Sequence, residues 1–125
     1  MRILVTGSRT WSDREALEIA LRVRLMTAEA MGEQLVVVHG DCPQGADALA
    51  RDWATRTPGV AEEAHPARWY TEGRAAGLIR NSRMVAAGAD ECLAFIQDDS
   101  RGATHCAQRA DEAGMVVSRY IRRGL

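Results

Sequence analysis

"CLAFIQDDSRGATHCAQRA", residues 92–110, changes character twice within nineteen positions. Cys92 to Ile96 is a short apolar run, as a buried strand is. Thr104 to Ala113 reads as a helix that Gly114 can end. Between them stand Asp98, Asp99, Ser100, Arg101 and Gly102, polar residues grouped around a glycine. A strand that passes through such a turn into a helix is half of a βαβ unit. The rest of the chain repeats the pattern.

Working outward, Arg2 to Thr6 is an apolar run ending at Gly7, a strand. Ser12-Asp13-Arg14-Glu15 has the form of a capping box and opens a helix with Leu17, Leu21 and Leu25 on one stripe. Gly32 can end that helix in the left-handed conformation. Leu35 to Val38 is an unbroken β-branched run, suited to a strand buried on both faces. Gly45 to about Thr57 forms a helix with Ala46, Leu49, Ala50 and Trp53 inward, and Pro58-Gly59 stops it. Val60 to Ala64 suits a short strand, Arg74 to Ala87 a helix ended by Gly88, and Met115 to Ser118 a last strand.

The alternation is βαβαβαβαβ. It predicts an α/β, Rossmann-like fold: an open parallel five-stranded sheet, order 3-2-1-4-5, with helices on both faces and right-handed crossovers. The 125 residues suit a single domain spanning 1–125. In such a sheet ligands bind beyond the carboxyl ends of the strands, where the strand order reverses. That point lies between the first and fourth strands, so the loops at Gly7–Trp11 and Gln97–Ala103 meet there.

Composition limits the chemistry. Net charge is −1, so no global basic field draws the chain to nucleic acid or membrane. All sixteen basic residues are arginine, which excludes a Schiff-base or P-loop lysine. No apolar run approaches the roughly 18 residues of a membrane span. Three widely spaced cysteines and the lack of a signal-like segment predict reduced thiols and a cytoplasmic location. His39, Asp41 and Cys42 are metal-ligand types but share one short loop without a second pair at zinc-like spacing, so no metal is expected.

The loops carry anion chemistry. A helix N-terminus presents unpaired N–H groups and about half a positive charge, to which phosphate binds readily. Gly102 allows close approach; Ser100 and Thr104 offer hydroxyls, and Arg101 a planar cation. The alternative is that Ser100 or Thr104 merely caps the helix. Gly7, Ser8 and Arg9 form a similar set beside them. Gly45 and the first turn of the second helix face the same crevice, where Asp47 either supports the helix dipole or contacts a ligand hydroxyl. Arg80 and Asn81 suit phosphate, ribose or an amide edge. Trp69 either stacks on a base or packs. If Arg80 faces the crevice, its removal weakens binding with little change in stability.

"GSRTW" (7–11), "HGDCPQGADALARDWA" (39–54) and "GRAAGLIRNSRMVAAGADECLAFIQDDSRGATHCAQRADEAGMVV" (73–117), in this order, resemble the SLOG superfamily. They are most similar to its small stand-alone group in bacteria and phages. The superfamily also includes the Lonely Guy phosphoribohydrolases and DNA-processing protein A. The resemblance implies a nucleotide or nucleotide-derived ligand surrounded by Gly7, Ser8, Arg9, Gly45, Asp47, Arg80, Asn81, Ser100, Arg101, Gly102 and Thr104. Members commonly dimerise, and Leu25, Met26, Met31, Trp53, Trp69 and Met84 supply apolar area for a homodimer or higher even oligomer.

Carry-over from the hydrolase branch is partial. Arg80 matches that branch's catalytic arginine, with Asn81 in place of lysine. Its catalytic glutamate falls at Cys106 or Ala107, and its Pro-Gly-Gly at Asp99-Ser100-Arg101. Neither Cys106 nor Ala107 can act as the general acid. The leading expectation is therefore a phosphate-ligand binder, a sensor or sequestering protein with no further cofactor. The alternatives are an N-glycosidic hydrolase of nucleoside 5′-monophosphates with a rearranged acid, for which Asp98, Asp99 and Asp47 are the carboxylates at the crevice and His105 a further proton source, and single-stranded nucleic acid binding. The last is disfavoured by six aromatics and no lysine.

Overall fold

The computed structural model describes residues 1–124. Five strands, β1 (Arg2–Gly7), β2 (Leu35–His39), β3 (Val60–Ala64), β4 (Glu91–Gln97) and β5 (Val116–Arg122), form one sheet. The order is β3-β2-β1-β4-β5 and every pairing is parallel. The helices are α1 (Arg14–Ala30), α2 (Gly45–Arg56), the single turn α3 (Trp69–Glu72), α4 (Ala76–Ala87) and α5 (Arg101–Glu112). No helix among the described residues is long and apolar enough to cross a membrane.

Strand side chains alternate between faces, and the core divides accordingly. Ile3, Val5, Leu35, Val37, Leu93 and Phe95 pack under α1 and α2, against Leu17, Leu21, Ala50 and Trp53. Leu4, Val38 and Cys92 point the other way, onto Met84 and Val85 of α4 and Cys106 and Ala110 of α5. Ala94 and Ile96 continue that face against Ala103 and Ala107. The reversal of strand order lies between β1 and β4, as the alternation predicts.

Four local expectations need correction. The cap of α1 is Asp13, whose carboxylate accepts from the Ala16 N–H at 3.0 Å, one residue past Ser12. The expected helix 74–87 starts two residues later, as α4 at Ala76, because Gly73, whose φ of 59° and ψ of −139° suit glycine, ends α3 and a 3₁₀ turn over Gly73–Ala75 leads into α4. α5 begins at Arg101, three residues earlier than its pattern suggests, because Asp98 and Asp99 both turn through positive φ (51° and 55°) and leave Ser100 to enter the helix. β5 runs on to Arg122, pairing with β4 along its whole length, with Tyr120 stacked on Phe95 at 4.8 Å.

Burial also revises the apolar surface. Trp53 and Met84 are in the core, and Leu25 packs against it. What remains exposed on α1 is Ile19, Val23 and Met26, at the i, i+4, i+7 spacing of one face.

An acid-sensitive clamp joins β1 to β3. Arg2 grips Glu63 with two hydrogen bonds, at 2.7 and 2.8 Å, and His65 Nε2 lies 2.7 Å from the same carboxylate. These bonds, Arg2 first, hold the Glu63 pKa down at about 2, against an ordinary value of 4.5. A depressed carboxylate pKa contributes stability that is complete above the ordinary value and lost as pH falls toward the folded one. The difference in thermal midpoint between the native chain and Glu63→Gln is therefore expected to shrink as pH falls from about 4.5 to about 2. A difference that is constant across that window would remove the clamp from the account.

Candidate functional site

The carboxyl ends of the strands open into a crevice of about 770 Å³. Its walls are the loop after β1, the loop after β2, the segment from Pro66 to Trp69 after β3, one face of α4, and the turn between β4 and α5.

Two of those walls are locked together by Ser8. Its N–H donates to Phe95 O at 2.9 Å. Its hydroxyl accepts from the Gln97 N–H at 2.8 Å and donates to Gln97 O at 3.3 Å. The Ser8 carbonyl accepts from the N–H groups of Trp11 and Ala46. A hydroxyl has one proton to donate, and here it is used within the protein. Ser8 thus holds the β1 and β4 loops in register at the edge of the crevice.

Glycines permit the close packing beneath. A Cβ on Gly7 would stand 2.3 Å from Ala46 Cβ and 2.7 Å from Phe95 O. Gly45, at φ 72°, would bring a Cβ to 2.1 Å from Ser8 O. Gly45 therefore lies behind the β1 loop and does not line the crevice, contrary to expectation.

Arg80 is anchored at several points. Nε donates to Asn81 Oδ1 at 2.8 Å, and Nη1 to Gly40 O and, at 3.5 Å, to His65 O. Asn81 is buried and its Nδ2 donates to Gly102 O at 3.2 Å. Together they tie α4 to the loop after β2 and to the first turn of α5. Both line the crevice. Because Arg80 satisfies the buried Gly40 carbonyl, its removal must also cost stability, which revises the expectation of little change.

Asp47 lies beneath, not in the lining. It is buried, and its Oδ2 accepts from the Cys42 N–H at 3.3 Å. Burial raises its pKa, opposed by the nearby charge of Arg80. A Cβ on Gly40 would meet Arg80 Nη1 at 2.5 Å and Asp47 Oδ2 at 2.9 Å, so glycine lets both groups close on this loop. His39 is fully buried; Nδ1 accepts from the Asp41 N–H at 3.0 Å, which leaves Nε2 to donate to Glu62 at 2.7 Å. The 39–47 loop thus uses its polar groups to build itself. Among the described residues no three His, Cys, Asp or Glu side chains group to hold a metal ion.

At the N-terminus of α5, Ser100 O already accepts the Thr104 N–H at 3.0 Å. The N–H groups of Arg101, Gly102 and Ala103 lack intrahelical partners, and Ser100 makes no side-chain cap bond. The free N–H donors at this helix end are therefore those of residues 101–103. Ser100 and Gly102 line the crevice; Arg101 and Thr104 do not. Arg9 enters from the β1 loop. Asp98 is drawn toward the end of β5, accepting from the Gly124 N–H at 2.6 Å, and Asp99 pairs with Arg123 at 3.2 Å.

Seven of the eleven expected residues thus line the crevice: Gly7, Ser8, Arg9, Arg80, Asn81, Ser100 and Gly102. Sequence reasoning missed Pro66, Ala67, Arg74 and Leu78. The available signal was topological: in a parallel sheet the segment leaving the third strand opens on the same edge.

The model of the YspA, cpYpsA-related SLOG family (YAcAr) matches residues 1–71, more than half of the chain. The chain belongs to this SLOG family. The matched segment carries the β1 and β2 loops and ends within α3, so Arg80, Asn81 and the β4 loop complete the crevice from outside it. The chain is also 44% identical over 123 residues to the Gene 61 protein of Mycobacterium phage D29, covering 95% of each. No solved structure matches.

Proposed function

We propose that this SLOG protein binds a nucleotide or nucleotide-derived phosphate ligand in the crevice, as a sensor or sequestering protein. The observation that carries the reading is the meeting, in one crevice, of Arg9 with the unpartnered N–H groups of the α5 first turn. Those groups provide a partial positive charge and directed donors for a phosphate. Gly102 is exposed and borders open space: a Cβ there would meet nothing within 4 Å. Gly7, Arg80, Asn81 and Ser100 complete the ligand's surroundings. Ser8 lines the crevice and joins its β1 and β4 walls, while Gly45, Asp47, Arg101 and Thr104 act from behind or beside the lining.

At the positions where the hydrolase branch carries its glutamate, this chain offers no acid. Cys106 and Ala107 are fully buried, and burial pushes the Cys106 thiol up to about 11. His105 lies outside the lining, and burial, helped by Arg109, lowers its pKa, so it is neutral near pH 7. A cation such as Arg80 cannot stabilise the oxocarbenium-like centre of base–ribose cleavage. Purified protein is expected to show saturable binding of a nucleoside 5′-monophosphate without release of free base. Gly102→Glu is expected to weaken that binding about tenfold or more by like-charge repulsion, while folding stability holds or rises, since an acid suits a helix N-terminus. Unchanged affinity in Gly102→Glu would refute the phosphate position; Arg80-dependent release of base would move the protein to the hydrolase branch.

The exposed face of Ile19, Val23 and Met26 suits a second copy of the chain. A homodimer or higher even oligomer is expected by light scattering. A strict 13.7 kDa monomer at micromolar concentration would exclude it.

A further inference from the structure

Trp69 stands apart from the other tryptophans. Trp11 and Trp53 are 2% and 3% exposed, and Trp69 is 51% exposed although it lines the crevice. Its place is enforced from three sides. Gly73 ends α3 in a backbone conformation that suits glycine. Arg83 of α4 grips the Glu72 carboxylate with both terminal nitrogens, one at 2.9 Å. The indole rests against α4 at Gly77, where a Cβ would lie 3.6 Å from Trp69 Cη2 and 3.8 Å from Arg80 Nη2. A large aromatic group is thus held half in water, beside a guanidinium, on the wall of a cavity.

The surroundings say what it is held for. Pro66, Ala67 and the exposed Leu78 make this wall apolar. Along α4, Gly77 is about one turn, or 5.4 Å, from Asn81, whose amide holds the Gly102 carbonyl at 3.2 Å. The indole and the first turn of α5 therefore meet α4 at neighbouring turns of one crevice wall. Aromatic side chains serve as base platforms because every base has a π-face.

We propose that Trp69 is the stacking platform for a nucleobase, so that the ligand class is a base-bearing phosphate ester and not a bare sugar phosphate. This rests on the phosphate-binding reading above. The test is calorimetric titration of the full chain with inorganic phosphate, ribose 5-phosphate and the four common nucleoside 5′-monophosphates. At least one nucleotide is expected to bind more tightly than ribose 5-phosphate. Trp69→Ala is expected to weaken that nucleotide by about 5- to 150-fold and to leave ribose 5-phosphate unchanged. Trp69→Phe, which keeps a π-face, is expected to restore most of the affinity. In the native chain the same nucleotide is expected to change tryptophan emission, and Trp69→Phe to abolish the change. Equal affinity for nucleotides and ribose 5-phosphate, or equal weakening of both by Trp69→Ala, would overturn the platform and leave phosphate binding standing. Failure of all six probes at millimolar concentration would overturn the phosphate-binding reading and the platform with it.

Discussion

Gly7→Ala is expected to lower stability by at least about 3 kcal/mol, the upper part of the usual range for overpacking. The added methyl would overlap Ala46 Cβ and the carbonyl of Phe95, at 2.3 and 2.7 Å. Neither obstacle can turn aside. Phe95 O accepts the Ser8 N–H, and Ala46 is fixed in the first turn of α2 with its own N–H bound to Ser8 O. Relief would require β1 and β4 to part at the point where the crevice begins. The loss should appear as a lower urea midpoint with an unchanged slope, since a changed slope would mean a different denatured or native compactness. A midpoint equal to that of the native chain would contradict the packing of these loops.

Arg80→Ala is expected to fail in two ways together. It strips the buried Gly40 carbonyl of a charged donor and removes the partner of Asn81 Oδ1. It also leaves Asp47 buried with less compensating charge. A lost hydrogen bond to a charged group costs about 1.5–3 kcal/mol, and a stability loss of that order is expected by urea unfolding. Binding of a nucleoside 5′-monophosphate should weaken by about 1.5–3 kcal/mol on the same ground. Weakened binding with no loss of stability would place the side chain wholly in the crevice. Loss of stability with unchanged affinity would make it a strut.

The sheet was readable because its strands carry their own signature. Leu35 to Val38 and Cys92 to Ile96 are apolar without interruption, and the glycines at 32, 88 and 114 mark where helices end. The family resemblance named a neighbourhood, and seven of its eleven residues line the crevice. It could not say which of them point inward. Ser8 is a donor by type, yet its proton is held by Gln97 O, a partner 89 residues away. Asp47 and Asn81 are polar by type, yet both are buried in bonds that shape the walls. The start of α5 was missed because two aspartates take left-handed backbone angles, which their side chains tolerate without demanding. Trp69 was left open between packing and stacking, since its exposure depends on Gly73 and on the Glu72–Arg83 pair, neither of which shows in a periodicity.

The most direct test of the phosphate-binding account is a crystal structure of the protein grown with a nucleoside 5′-monophosphate. The account predicts phosphate oxygens within hydrogen-bond distance of the N–H groups of residues 101–103, with the Arg9 side chain reaching the same phosphate. A well-ordered nucleotide whose phosphate lies elsewhere, away from the first turn of α5, would contradict it.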